Sequence, residues 1–169
     1  MVTGSTFQAT FDPAQGLLTA YRAHGRDLIQ AGPRENYYRA PTDIDLLMGN
    51  APAPIHKWRA AGLDRLERTL ISFEAVQVGP QEVLLRARAR VCAPGQTAGF
   101  DSRMVYHVYG DGEIAVTNTV QVDDFPPNVP QERMNWVPLR WLTSDAWKYF
   151  IPRVGVELHL PGDLETLDW

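Results

Sequence analysis

The sequence is short of the residues and motifs by which chemistry most often announces itself. A single cysteine, Cys92, in 169 residues excludes an internal disulfide framework. The four histidines, His24, His56, His107 and His159, are too scattered to join it at zinc-ligand spacing. No Gly-rich phosphate loop, G-x-S-x-G elbow, H-E-x-x-H or C-x-x-C occurs, so nucleotide-binding, hydrolase-triad and zinc readings have no footing. No apolar run approaches the roughly 18 residues of a membrane span, and the first ten residues lack the basic region and apolar run of a secretion signal. A cytoplasmic location is the expectation. An excess of basic charge is also missing. The formal net charge of −4 leaves no concentrated cationic surface, so a nucleic acid is not expected as a partner, and without an apolar span neither is a membrane.

What is present is alternation. With 44% hydrophobic and 21% charged residues the chain has the composition of one ordinary globular domain. From Gln81 to Cys92, Val83, Leu85, Ala87, Ala89 and Val91 alternate with Arg86, Arg88 and Arg90, the pattern of a half-buried strand. Arg68–Val78 precedes it across Gly79-Pro80, and Phe100–Tyr109 and Glu113–Val122 flank Gly110-Asp111-Gly112, so a four-strand meander is predicted. Thr6–Phe11 and Leu17–His24 bracket a turn-rich run from Asp12 to Gly16, Arg26–Ile29 adds a short strand, and Val154–Leu160 gives one more. Helix is predicted only at Ile55–Leu66 and, more weakly patterned, at Thr143–Phe150. Many short strands with almost no helix imply an all-β antiparallel sandwich. Two irregular stretches, Gly32–Pro54 and Asp123–Pro152, are long for such a domain and are the natural places for function.

Several residues in these stretches carry chemical potential, each beside a structural alternative. Asp43 and Asp45, if extended, project to one side about 6.5–7 Å apart at a rise of ~3.3 Å per residue. That approaches glycosidase carboxylate spacing, although aspartates in loops more often cap turns. Arg39, aimed by the restriction that Pro41 places on Ala40, can fork to a carboxylate, either in a ligand or within its own loop. The ladder Arg86, Arg88, Arg90 is either a solvated face or a docking surface for an acidic neighbour. Asn118 interrupts an apolar strand face and requires a hydrogen-bond partner, with a loop backbone the expected one. The aromatics between Phe125 and Phe150, including Trp136, Trp141 and Trp147, suit capping of the sandwich, an interface or stacking on sugars.

The run Tyr38-Arg39-Ala40-Pro41-Thr42-Asp43-Ile44-Asp45, followed by Trp58-Arg59-Ala60-Ala61-Gly62, resembles the R-A-P-x-D-N-D and W-x-x-A-G signatures of the large bacterial β-galactosidases of glycoside hydrolase family 2. Pro152-Arg153-Val154-Gly155 and the terminal Trp169 are similar to a later P-R-x-G…W passage in the same C-terminal small-chain domain. The resemblance implies a galactose-mutarotase-like β-supersandwich that forms part of an active-site wall. It places the catalytic glutamates of a retaining β-galactosidase on a separate barrel, with no catalytic residue here. It implies that Trp169 contacts the galactoside substrate and that Asp43, Asp45, Leu46, Leu47, Met48, Gly49 and Asn50 belong to a loop flanking the active site. Partners are then the other domains of the parent enzyme, whose Mg and Na ions sit on those domains, with no cofactor in this chain.

Departures from the family pattern are Ile44 in place of Asn, an apparent insertion at 131–150, and an ending on the order of 100 residues before the family domain does, within ordinary domain size. The whole of 1–169 thus reads as the first part of one domain. Open sheet edges left by that ending predict self-association. The alternative is an independent carbohydrate-binding module that uses Trp136, Trp141 and Trp147. Mutarotase-like epimerisation needs a positioned acid and base, and no His and Glu stand out in the sequence for it.

Overall fold

The computed structural model describes residues 1–46, 53–123 and 151–162. Strands β1 (Val2–Thr3), β2 (Phe7–Asp12), β3 (Leu17–Ala23) and β4 (Arg26–Ile29) form one antiparallel sheet in that order. Strand β5 (Ala31–Asn36) follows, then a single helical turn α1 (Asp43–Leu46), helix α2 (Pro54–Ala60) and a 3-10 turn at Leu63–Arg65. The predicted meander is the second sheet, with β6 (Glu67–Gly79), β7 (Glu82–Cys92), β8 (Gly99–Tyr109) and β9 (Ile114–Val122) paired in sequence order. Strand β10 (Gly155–His159) returns from far along the chain to pair antiparallel with β5. The described residues thus bear out the all-β sandwich, and the helix expected at Ile55–Leu66 is α2 followed by the 3-10 turn. The second predicted helix, Thr143–Phe150, lies outside the described residues, as does 131–150.

The turns follow from their residues. Gly16 and Gly112 take φ +64° and +101°, the left-handed region that a side chain resists, and each closes a hairpin. Asp12 fixes the first of these turns by accepting from Ala14 N at 2.8 Å, and Asp111 fixes the second by accepting from Glu113 N at 3.0 Å. Tyr21 of β3 donates to the Gly112 carbonyl at 2.5 Å, which ties the turn of one sheet to the strand of the other.

Alternation along β7 and β8 turns one face of the meander inward, and that face is covered by two different partners. At one end Leu85, Ala87, Met104, Tyr106 and Val108 pack against Phe7, Ala9, Phe11, Leu17 and Leu18 of the first sheet. At the other end Val91 and Phe100 pack against Tyr37, Ile55, Trp58 and Leu63, so a helix replaces a sheet as the covering layer. Tyr37 stacks on Phe100 with ring centroids 3.9 Å apart, and Phe11 meets Tyr106 edge-on at 5.1 Å.

Between these two apolar clusters lies a charge pair. Glu35 Oε2 stands 3.0 Å from Arg68 Nε, with the side chains only 1% and 6% exposed. Ser102 Oγ donates to Glu35 Oε1 at 2.6 Å and stands 2.9 Å from the Asn118 side-chain amide. Asn118 therefore has its partner, and it is a serine on β8 rather than the loop backbone expected from sequence. Two strands in register can present side chains to each other without help from a loop, and Met104, which opposes Asn118, lies two residues from Ser102 and so on the same face of β8. Arg68 also donates to the Gln15 carbonyl. Burial, reinforced by the Glu35 charge, pushes the phenols of Tyr37 and Tyr106 up to about 12, so both remain neutral beside the pair.

Removing one partner of a buried pair strands the other. Glu35→Leu should therefore lower unfolding stability by on the order of 3–5 kcal/mol in urea titrations, and Glu35→Leu combined with Arg68→Met should recover most of that loss. Additive losses in the double variant would show that the two side chains do not act as a pair.

Candidate functional site

Arg39, the first residue of the R-A-P-x-D-x-D run, joins three segments of chain. Its guanidinium forks onto Asp45, with Nη1 to Oδ2 at 2.6 Å and Nη2 to Oδ1 at 3.1 Å. Its Nε donates to the Pro152 carbonyl at 3.1 Å, just ahead of β10. The same group lies 5.2 Å from the centroid of the Trp58 ring in α2. Of the two roles open to Arg39, the ion pair inside its own loop is the one observed.

Asp45 is held from both ends. Thr42 donates to Asp45 Oδ2 from its backbone N at 2.7 Å and its Oγ1 at 2.8 Å, while Asp45 N donates to the Thr42 carbonyl at 3.0 Å. Thr42-x-x-Asp45 thus makes one half of a capping box for the turn α1, the Asp45 carboxylate reaching back to the Thr42 amide. The Arg39 fork first, and the Thr42 amide second, hold the Asp45 carboxyl down at about 2. Of the two arrangements open to Asp43 and Asp45, the turn is the one observed and the extended one is not. In a helical turn residues two apart do not share a face. Asp45 is buried and committed to Arg39, whereas Asp43 is exposed. The two do not form an acid and base across an open gap. Leu46 is exposed at the end of α1, and Leu47, Met48, Gly49 and Asn50 lie outside the described residues, as do Trp136, Trp141, Trp147 and Trp169.

The W-x-x-A-G run is equally architectural. Pro54 opens α2 at a position where its missing N–H costs nothing, and Trp58 is 1% exposed beneath Arg39 and Tyr38. Ala61 caps the helix, and Gly62 follows at φ +72° with its N–H donating to the Arg59 carbonyl at 3.0 Å. A Cβ at Gly62 would fall 2.3 Å from that of Ala93, so only glycine fits.

The arginine ladder carries its counter-charges on its own sheet face. Arg86 Nη1 is 3.1 Å from Glu74 Oε1, Arg88 and Arg90 lie 3.9 and 3.8 Å from Asp101, and Arg90 also bonds Asp123. The Asp123 carboxyl is lowered, chiefly by Arg90. The pairs of Arg86 and Arg88 are solvent-facing and that of Arg90 half-buried, and together they match the solvated-face reading.

A groove of about 490 Å³ runs beside β5 and β10, reaching the 3-10 turn and the start of β6. Its walls include Arg34, Asn36, Tyr38, Arg68, Glu157 and His159. Asn36 Nδ2 donates to Glu157 Oε2 at 2.8 Å, and His159 Nε2 is 2.8 Å from Glu157 Oε1. The Glu157 carboxyl is lowered, first by His159 and then by Asn36. Sequence reading missed this cluster because Asn36 and Glu157 are 121 positions apart, joined only by the pairing of β5 with β10. Among the described residues no group of three or more His, Cys, Asp and Glu is placed to hold a metal ion. No described helix is long and apolar enough to cross a membrane, which says nothing of a β-barrel.

Fold and motif geometry together define a β-sandwich module whose signature residues build a scaffold around Arg39. The chain belongs to the β-galactosidase small chain family, which matches residues 3–169. It is similar to a β-galactosidase of Psychromonas ingrahamii, 24% identical over 99% of this chain and 14% of that protein. A β-galactosidase of Priestia megaterium is 28% identical over 94% of this chain and 15% of its own length. One of an Arthrobacter species is 29% identical over 95% of this chain and 14% of its own length. The chain therefore spans about 13–15% of the length of the curated relatives it matches.

The Asp45 clamp has a pH signature. Because its folded carboxyl lies at about 2, below the ordinary value of 3.8, the clamp stabilises fully above the unfolded value and is lost as pH falls through the folded one. Asp45→Asn should lower the melting temperature at neutral pH and flatten the acid limb of stability in that window. An unchanged acid limb in thermal melts from neutral pH to pH 2 would show the clamp to be unimportant.

Proposed function

We propose that this chain is an accessory domain of a retaining β-galactosidase acting on terminal β-D-galactosides. It completes the active-site wall and the subunit architecture, while the catalytic glutamates, and the Mg and Na ions, belong to other domains of a cytoplasmic parent enzyme. The observation that carries this reading is membership of the small-chain family across 3–169 in a chain that covers only about one seventh of relatives named β-galactosidase. The commitment of Asp45 to Arg39 supports it, because a carboxylate held ionised and doubly bonded is poorly suited to proton transfer. In this reading Trp169 stacks on the galactoside, and Asp43, Asp45 and 46–50 flank the site.

The chain alone should not hydrolyse an aryl β-galactoside, and Trp169→Ala in the parent enzyme should raise KM roughly tenfold through lost stacking. Robust turnover by the chain alone, abolished by changing Asp43 or Asp45, would overturn the proposal. Tight galactoside binding by the chain alone that disappears when Trp136, Trp141 and Trp147 become alanine would instead identify an independent carbohydrate-binding module.

The partners in this reading are the parent's other domains, and the surface has features suited to them. Val154, Val156, Leu158 and Leu160 are 62%, 38%, 46% and 41% exposed, and β6 and β9 are edge strands of their sheet among the described residues. In the absence of such partners the chain should self-associate through these edges. Sedimentation over a concentration series should show mass rising with concentration, and Val156→Lys should suppress it; a strictly monomeric chain would remove this part of the proposal.

A further inference from the structure

We propose that the groove beside β5 and β10 binds a neutral saccharide, through Asn36, Glu157 and His159 on one wall and Arg34, Tyr38 and Arg68 around them. None of these residues takes part in the site proposed at Trp169, so the inference stands apart from that reading.

The volume, about 490 Å³, falls in the range of small-molecule clefts. Its polar groups are positioned before any ligand arrives. Glu157 is fixed by Asn36 at 2.8 Å and His159 at 2.8 Å, which leaves a carboxylate with lone pairs to accept from hydroxyl groups and neighbours able to donate to them. Glu157 stands opposite Arg34 in the β5–β10 register, so acceptor and donor side chains are adjacent on one face of the ribbon. Arg68 also lines the groove; it is 6% exposed, and its Nη2 meets no acceptor among the described residues. A buried guanidinium nitrogen without an acceptor costs free energy that a ligand hydroxyl, or a water held beneath it, relieves.

Charge decides the ligand class. The groove's arginines 34, 65 and 68 are matched by Glu35, Asp64 and Glu157, with Arg68 paired to Glu35 at 3.0 Å and Arg65 to Asp64 at 3.3 Å. A lining with matched charge has no net field to attract an anion or a cation. What it offers is a dense array of fixed donors and acceptors beside the apolar edges of Tyr38 and Leu63, the combination that suits a ring with hydroxyls on its rim and C–H groups on its face.

The test is amide-shift NMR on this chain titrated with lactose, with inorganic phosphate as a second probe. Lactose should give saturable shifts centred on Gln30–Asn36 and Glu157–His159. The affinity should fall about tenfold or more in Glu157→Gln and in Asn36→Ala, and persist in Trp169→Ala. Phosphate should give no saturable shift. Absence of saturable lactose shifts in the unaltered chain, shifts centred elsewhere, or lactose affinity lost only in Trp169→Ala would overturn the proposal. So would phosphate binding at these residues, or unchanged affinity in both groove variants with an unaltered circular dichroism spectrum.

Discussion

The arrangement depends on one buried charge pair. Glu35 and Arg68 lie where the two apolar clusters meet, and each is taken almost entirely out of water. Desolvating two charges is costly, and their mutual attraction repays it only when geometry and hydrogen bonding are good. Here Ser102 satisfies the second carboxylate oxygen, Asn118 completes the chain of contacts, and Gln15 accepts from the guanidinium. The pair consequently acts on register as much as on stability. A slip of β5 by one residue would turn Glu35 outward and bring Arg34 or Asn36 in against Arg68. The first of those places like charges together, so the pairing of β5 is specified by electrostatics where its apolar pattern cannot specify it.

Everything beyond β5 inherits that register. Tyr37 reaches Phe100, and Arg39 reaches Asp45, Trp58 and the Pro152 carbonyl, because the strand before them is locked. Lysine could not replace Arg39. The site uses a planar fork onto two carboxylate oxygens, a further donor to a carbonyl, and the guanidinium against an indole, and an ammonium group offers none of that geometry. The departure at Ile44 leaves this clamp untouched. It stands 75% exposed on α1 and takes no part in the clamp. Both signature runs are thus explained by construction, through an ion pair, a carboxylate capping the Thr42 amide, a buried indole and a glycine against Ala93.

Legibility in the sequence followed the source of each element's stability. The meander was readable because β7 buries alternate small and branched side chains, and period-two burial writes itself directly into the sequence. Strand β5, Ala-Gly-Pro-Arg-Glu-Asn, has no such pattern and fell inside the stretch read as irregular. Its order comes from β10 and from a carboxylate whose partner is 33 residues away. Of the two readings open to Asp43 and Asp45, spacing alone could not choose; the Thr42 amide on Asp45 selects the turn and removes the extended alternative. The Glu157–His159–Asn36 cluster left no local mark at all.

For the proposed accessory role, the arginine-ladder face and the β10 side are not equivalent. The face with Arg86, Arg88 and Arg90 neutralises itself within the sheet, so docking there would require breaking exposed pairs that already have partners and would gain little. The β10 side is different. Val156 opposes Glu35 across the ribbon and therefore points to the same side as that buried carboxylate, yet it remains 38% exposed. A strand whose inward side is only half covered among the described residues gains free energy from an apolar neighbour, about 25 cal/mol for each Å² removed from water. Charge complementarity would set how quickly such a neighbour is found, but burial of the β10 row is what would hold it.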